Sequence, residues 1–190
     1  ALFSRLKQAD SRGQQFESNS NYLEQLTKDN KRYTISSLDI NSSFSDYGVF
    51  ESKDGIVFTS SRTHEQLKVD SWTNQPYSGL YASKIVKPNS FSKPEAFLKN
   101  TIFSANESTA IITKDGLTLY FTKNNFKKNK NKKNAKDEVT LKIYSAHFKN
   151  GQWKEVTELP FNSDNYNCAH PALSADEKTL YFTSNMPGTM

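Results

Sequence analysis

Three segments of this chain carry one pattern at a fixed spacing, and that spacing limits the possible folds more than any other feature. The first, SDYGVFESKDGIVFTSSR, runs from Ser45 to Arg62. The second, NESTAIITKDGLTLYFTKNN, runs from Asn106 to Asn125, and the third, CAHPALSADEKTLYFTSN, from Cys168 to Asn185. Their aspartates, Asp54, Asp115 and Asp176, follow one another at intervals of 61 residues. Beyond them, Leu119-Tyr120-Phe121-Thr122 matches Leu180-Tyr181-Phe182-Thr183, whereas the first copy, Ile56-Val57-Phe58-Thr59, is two residues shorter.

Each copy reads as a hairpin. A short apolar strand enters Ser/Thr-x-Asp-Gly, or Ser-Ala-Asp-Glu in the third copy, and an alternating strand leaves it. The Asp side chain bonds to nearby backbone, and Gly supplies the positive φ that tight turns need. Leu117, Leu119 and Phe121 then share one strand face, and Thr118, Tyr120 and Thr122 the other. Glu177 replaces the glycine in the third copy, which leaves the turn type open but not the strand. The recurrence of Asp54, Asp115 and Asp176 thus reads as turn chemistry rather than catalysis.

Two further strands complete the unit. Gly79 to Ile85 corresponds to Leu141 to Ala146, and Pro94 to Leu98 corresponds to Trp153 to Leu159. Four short strands per repeat describe a blade, so the expected fold is all-β: a β-propeller of about two and a half four-stranded blades. The blades fall at roughly 44–100, 105–159 and 167–190, within a propeller region 33–190. Common blades repeat every ~40 to 50 residues. The longer period here is assigned to loops, His64 to Ser78 in the first copy and a lysine-rich segment in the second. A sandwich with similar hairpins is the alternative. Propellers close with about 4 to 8 blades, so the chain is expected to be part of a larger ring or to pair its open edge with another chain. Residues 1–32 differ: Leu2, Phe3, Leu6 and Tyr22, Leu23, Leu26 fall at helical spacings, with Ser20 or Asn21 as cap, which reads as a helical tail and linker.

Composition agrees with small β units. Only 35% of residues are hydrophobic, yet 13% are aromatic, which suits strands that each bury one or two large side chains. No run approaches the ~20 apolar residues of a membrane-spanning helix. The net charge of +5 belongs to one segment, Lys123 to Glu138, where seven lysines face Asp137 and Glu138. Its composition reads as a solvated insertion, with anion binding the minor alternative, so no nucleic-acid partner is expected.

Cys168 is the one cysteine and excludes an internal disulfide. Cys168 and His170 share a strand face, but a metal would need ligands from elsewhere. There is no Gly-x-Ser-x-Gly elbow and no glycine-rich phosphate loop. No metal, cofactor or catalytic residue is therefore expected. In propeller geometry the first strand of each blade lines a central channel. Asp46, Glu107 and Cys168 share one register there, and Gly48, Thr109 and His170 another. Asp46, Glu107 and His170 are the candidate partner-binding residues, beside the plainer reading of a solvated channel lining.

The third copy, from Ala169-His170-Pro171 through Ser174-Ala175-Asp176 to Leu180-Tyr181-Phe182-Thr183-Ser184, resembles the TolB-type, WD-like propeller repeat. Tyr33 to Asn41, Phe44 to Gly48 and Glu158 to Ser163 further resemble a Bacteroidetes group of OmpA-family outer-membrane-associated proteins. Those proteins join helical repeats, a propeller, a small β-sandwich and a peptidoglycan-binding OmpA-like domain, as in the PorE-type component of type IX secretion and gliding machinery. The resemblance spans residues 20–190 and implies a non-enzymatic scaffold on the periplasmic side of the outer membrane that binds protein partners of the envelope. Peptidoglycan binding would belong to the OmpA-like domain and falls on no residue of this sequence. A glycan-acting propeller or the accessory propeller of a peptidase is the rival expectation.

Overall fold

A computed structural model describes residues 34–62, 69–71, 73–98, 105–127 and 130–188, together with Ser18, Asn21, Glu24 and Lys28. The chain divides into two units, Ala1–Ser37 and Leu38–Met190. In the first, Ser18, Glu24 and Lys28 are helical; the rest of the expected N-terminal helix, and His64, lie outside the described residues. Among the described residues, no helix is long and apolar enough to cross a membrane.

The second unit consists of antiparallel sheets. In chain order its strands are β1 (Asp46–Ser52), β2 (Gly55–Ser60), β3 (Val69–Asp70), β4 (Gln75–Pro76), β5 (Gly79–Lys87), β6 (Ser90–Phe91) and β7 (Glu95–Ala96). They continue with β8 (Glu107–Ile112), β9 (Thr118–Asn124), β10 (Phe126–Lys127), β11 (Lys130–Asn131), β12 (Leu141–Lys149), β13 (Gln152–Glu158), β14 (Cys168–Leu173) and β15 (Leu180–Ser184). The first sheet runs β1-β2-β5, with both β6 and β7 on β5. The second runs β8-β9-β12-β13, and the third pairs β14 with β15. The hairpins β3-β4 and β10-β11 stand outside them. β1 lies against β8, and β8 against β14, so the three sheets follow one another through their first strands.

The pairing registers correct two sequence expectations. Ser60 faces Gly79 and Lys123 faces Lys142; Gly79 therefore corresponds to Lys142, one residue beyond the match drawn from sequence. The first turn also differs from the other two. Ser52 pairs directly with Gly55, so only Lys53 and Asp54 form the loop. Asp54 falls where the first copy is two residues shorter, and its 61-residue spacing does not give it the role of Asp115. Nor does Gly55 supply a positive φ. It is required by close approach, since a Cβ there would lie 2.1 Å from the Ser83 carbonyl oxygen.

The other two turns match the expectation bond for bond. Asp115 Oδ1 accepts from Thr113 Oγ1 (2.6 Å) and the Leu117 N–H (2.9 Å), and Asp176 Oδ1 accepts from Ser174 Oγ (2.6 Å) and the Lys178 N–H (3.2 Å). Gly116 has φ 73°, and Glu177 adopts the same left-handed conformation at 58°. That costs a residue with a Cβ on the order of 1 kcal/mol. In compensation, the Glu177 carboxylate accepts the Lys114 N–H of the neighbouring hairpin at 2.6 Å.

The core lies between sheets. Val57 and Leu80 of the first sheet cluster with Ala110, Leu119, Phe121 and Ala146 of the second. Phe121 and Leu119 are fully buried, and burial of each such side chain stabilises the fold by about 1.5–3 kcal/mol. The repeat places an aromatic on β2 or β9 beside a tyrosine on the next strand: Phe58 and Tyr81 are 6.3 Å apart, and Phe121 and Tyr144 6.0 Å. A residue from the connector joins each group. Ile40 packs with Phe58, Leu98 joins the cluster of Phe121, and Phe161 stacks on Phe182 at 4.4 Å.

Candidate functional site

Each first strand carries a β-bulge, between Tyr47 and Phe50, Ser108 and Ala110, and Ala169 and Ala172. The bulge holds Gly48, Thr109 or His170 at positive φ (62°, 32° and 57°). A bulge re-aims the backbone, and here it turns an N–H out of its own sheet. The Thr109 N–H donates to Thr59 Oγ1 of the first sheet at 3.2 Å, and the His170 N–H donates to Thr122 Oγ1 of the second at 2.9 Å. A second staple repeats beside it. Asn106 Oδ1 accepts the Ser78 N–H (2.9 Å), and Asn167 Oδ1 accepts the Leu141 N–H (2.8 Å). Gly48 sits at the start of this column, where a Cβ would come within 3.3 Å of the Thr109 methyl.

Two bulge-side residues expected to face a partner are instead engaged within their own sheets. Asp46 accepts from Ser60 Oγ (2.6 Å) and Arg62 Nη2 (2.8 Å). Burial pushes its carboxyl up, but the bonds from Arg62, Ser60 and Ser42 outweigh it and hold it below the ordinary range. Glu107 is buried and pairs with Lys123 Nζ at 2.9 Å; burial raises its carboxyl, against the pull of Lys123. At the same register Cys168 lies 3.6 Å from Ser184 Oγ, and burial raises its thiol. Each first-strand residue thus faces its cross-strand partner, Asp46 to Ser60, Glu107 to Lys123 and Cys168 to Ser184. Of the three candidates, His170 is the exposed one.

Most described residues of the lysine-rich segment are exposed, as its composition suggests, and several of them are paired. The segment forms the β10-β11 hairpin and a bridge between Lys133 and Val139. Asn134 closes its tip by accepting the N–H groups of Lys136 and Glu138. Its charges meet carboxylates: Lys132 bonds Asp164, Lys133 bonds Asp137 (2.8 Å), and Lys127 lies 3.6 Å from Glu158. Beneath it Lys142, 2% exposed, donates to Glu158 (2.6 Å) and Asp164 (2.7 Å). Bonds from Lys132, Lys142 and Asn125 hold the Asp164 carboxyl well below the usual range. Burial, with the Glu158 charge beside it, pushes the Tyr144 hydroxyl up to about 12. Nothing in the local sequence links Lys142 to Asp164; the fold brings them together across 22 residues.

A cleft of about 760 Å³ opens between the outer parts of the first and second sheets. Its apolar floor includes Val57, Leu98 and Ile112, and Trp153 stands on one wall, tilted against Phe97 (5.5 Å) and Phe148 (5.2 Å). Asp54, Lys84, Lys93 and Glu95 lie around it. Sequence reasoning missed this cleft, although two aromatics on adjoining strands, Phe148 and Trp153, flag the wall. The arrangement suits an apolar or aromatic side chain with mixed charges around it. Among the described residues, no group of three or more His, Cys, Asp or Glu side chains is placed to hold a metal ion.

Comparison with protein-family models, with curated proteins and with solved structures finds no match for this chain.

Proposed function

We propose that this chain is a section of a β-propeller that serves as a non-enzymatic protein-binding scaffold of the cell envelope. The observation that carries the reading is the twofold recurrence of one sheet-to-sheet contact, Thr59 with Thr109 and Thr122 with His170, at the same register. Successive sheets joined identically through their first strands suit radial repetition. A rigid stack that presents loops and a preformed cleft binds partners with little ordering cost. The internal pairing of Asp46, Glu107, Glu158 and Asp164 favours structural roles for these carboxylates. The pairing of Lys127, Lys132 and Lys133 with carboxylates of the chain weighs against a nucleic-acid surface.

Location on the periplasmic side of the outer membrane, and service in type IX secretion, rest on the resemblance to OmpA-family envelope proteins. The test is affinity capture with the chain from solubilised Bacteroidetes envelope membranes, beside a bait carrying Phe148→Glu in the cleft wall. The expected result is enrichment of outer-membrane or secretion components that the variant bait loses. Equal recovery on an unrelated β-sheet protein overturns the scaffold reading, and turnover of envelope glycans or peptides by the pure chain replaces it with an enzymatic one.

A further inference from the structure

Two departures of the first sheet from the second border one cleft. Only Lys53 and Asp54 lie between β1 and β2, whereas Thr113 to Leu117 lie between β8 and β9. The outer strand of the first sheet is split into β6 and β7 around Lys93 and Pro94, whereas β13 runs unbroken over Gln152–Glu158. Proline has no N–H to give a strand partner, which favours the break. Asp54 of the short loop and Lys93 and Glu95 of the split strand all stand around the cleft. A second hollow, lined by Lys53, Asp54, Lys84 and Ile85, shares Asp54 and Lys84 with it. The two form an elongated groove rather than a single socket. Apolar surface follows its length, since Phe148, Val156 and Ile85 are 39%, 48% and 48% exposed. Charge distinguishes its ends. Lys93 has Glu95 as its counterpart at the cleft, but two lysines, Lys53 and Lys84, stand with one aspartate at the second hollow. Among the described residues none of these three takes part in a salt bridge, whereas Lys123, Lys132, Lys133, Lys142 and Lys149 all meet carboxylates of the chain.

We propose that this groove binds an extended segment of a partner protein that carries an aromatic side chain and, close to it in sequence, an aspartate or glutamate. The aromatic ring enters the cleft over Val57 and Leu98 and meets Trp153 and Phe148, in tilted contacts of the kind that Trp153 makes with Phe97 and Phe148. The volume of about 760 Å³ is that of a ligand pocket and exceeds what one ring fills. The carboxylate meets Lys53 and Lys84 at the second hollow, where it balances the excess positive charge. A buried aromatic anchor supplies most of the affinity, and the charges at the rim set the choice of segment. The inference rests on the protein-binding reading above and adds to it which segments the cleft accepts.

Selection of a phage library of random short peptides on the immobilised chain is the test, followed by fluorescence anisotropy of the selected peptides made with a fluorescein label. The selected sequences are expected to carry Trp, Tyr or Phe with Asp or Glu near it. Phe148→Glu is expected to abolish their binding. Val156→Glu, on another exposed side chain of the cleft, takes its place should that variant lose its far-UV β signal. Lys84→Glu is expected to weaken binding about fivefold and Lys84→Arg to leave it unchanged. A peptide whose acid is exchanged for lysine should bind the Lys84→Glu chain better than the unaltered one. An empty selection overturns the proposal, as do peptides without an aromatic residue and peptides whose binding survives both cleft substitutions. Equal binding of the acidic and the lysine-exchanged peptides overturns it too. Envelope partners that a Lys84→Glu bait captures undiminished leave the scaffold reading standing and remove this one. Peptides that behave as expected, beside a capture without envelope partners, remove the envelope scaffold and leave the groove.

Discussion

In the second sheet the first cross-strand pair of β8 with β9 is Glu107 with Lys123, a buried salt bridge of 2.9 Å; at the same register in the third sheet stand Cys168 and Ser184, uncharged and 3.6 Å apart. The hairpin ends differ in the same manner. Gly116 turns one, and Glu177 is held at φ 58° in the other. Yet the aspartate turn, the bulge and the staple to the preceding sheet are alike in both. Groups that bond backbone are kept from one copy to the next, because an unpaired buried N–H costs more than a replaced side-chain pair. The cross-strand pair at this register differs in charge between the two sheets, while Ser184 Oγ still donates to the Asn167 carbonyl and accepts the Met186 N–H.

The largest effect should come from breaking such a pair. Lys123→Met leaves Glu107 buried without its cation and is expected to cost about 3 kcal/mol at neutral pH by urea denaturation. Burial already raises the Glu107 carboxyl, so the penalty falls on its ionised form and should shrink as pH drops and Glu107 takes up a proton. Installing the third sheet's pair instead, Glu107→Cys with Lys123→Ser, should recover most of the loss; an equal or larger loss would show that the charges themselves are needed.

The staple should be next. Thr122→Val deprives the His170 N–H of its acceptor inside the protein and is expected to cost about 1–3 kcal/mol. The equivalent Thr183→Val, on an exposed side chain, should stay within about 0.5 kcal/mol. Equal costs at the two sites would show that burial is not what gives the staple its weight.

Acid stability gives a smaller contrast. Asp46 and Asp164 are both held below the ordinary value of 3.8. Their contribution is therefore complete above that value and is lost as pH falls through it toward the lowered folded values. Thermal midpoints should hold down to about pH 5 and then decline, and Asp164→Asn should flatten part of that decline. Glu107 works in the opposite sense, since a raised carboxyl favours the fold as it protonates. A decline beginning near neutral pH would point to a group other than these aspartates.

Glu177→Gly should have the least effect. It relieves on the order of 1 kcal/mol of left-handed strain and gives up the bond to the Lys114 N–H. The expected net change is below about 0.5 kcal/mol. Glu177→Ala, which loses the bond and keeps the strain, should destabilise more than the glycine variant.

How much was legible in the sequence depended on how far apart the interacting groups are. The turns at Asp115 and Asp176 were readable because every bond lies within five residues. The third-strand register was missed by one residue because it is fixed by pairing with β2 and β9, not by local pattern. Asp54 lies in a turn as expected, but the turn of the shorter first copy is a two-residue loop, so equal spacing does not make Asp54 the equivalent of Asp115. Polarity at Asp46 and Glu107 suggested a surface, but cross-strand neighbours absorb it. Most of the described part of the lysine-rich segment is exposed as its composition suggests, but its pairing with Asp164 and Glu158 was not legible because these lie up to 32 residues away.

The sequence by itself determined the unit, an antiparallel hairpin repeated three times, because turn chemistry acts between near neighbours; the expected alternation of the second strand holds in β15 but not in β2, which is buried along its whole length between its neighbours. Only the tertiary structure decided what the repeat does with its neighbours. Which N–H leaves its sheet at a bulge, which threonine receives it and which carboxylate is buried beside which lysine are matters of contact between strands far apart in the chain. Hydrogen bonds and ion pairs act over about 3 Å, and no spacing along a sequence states which distant groups will come that close.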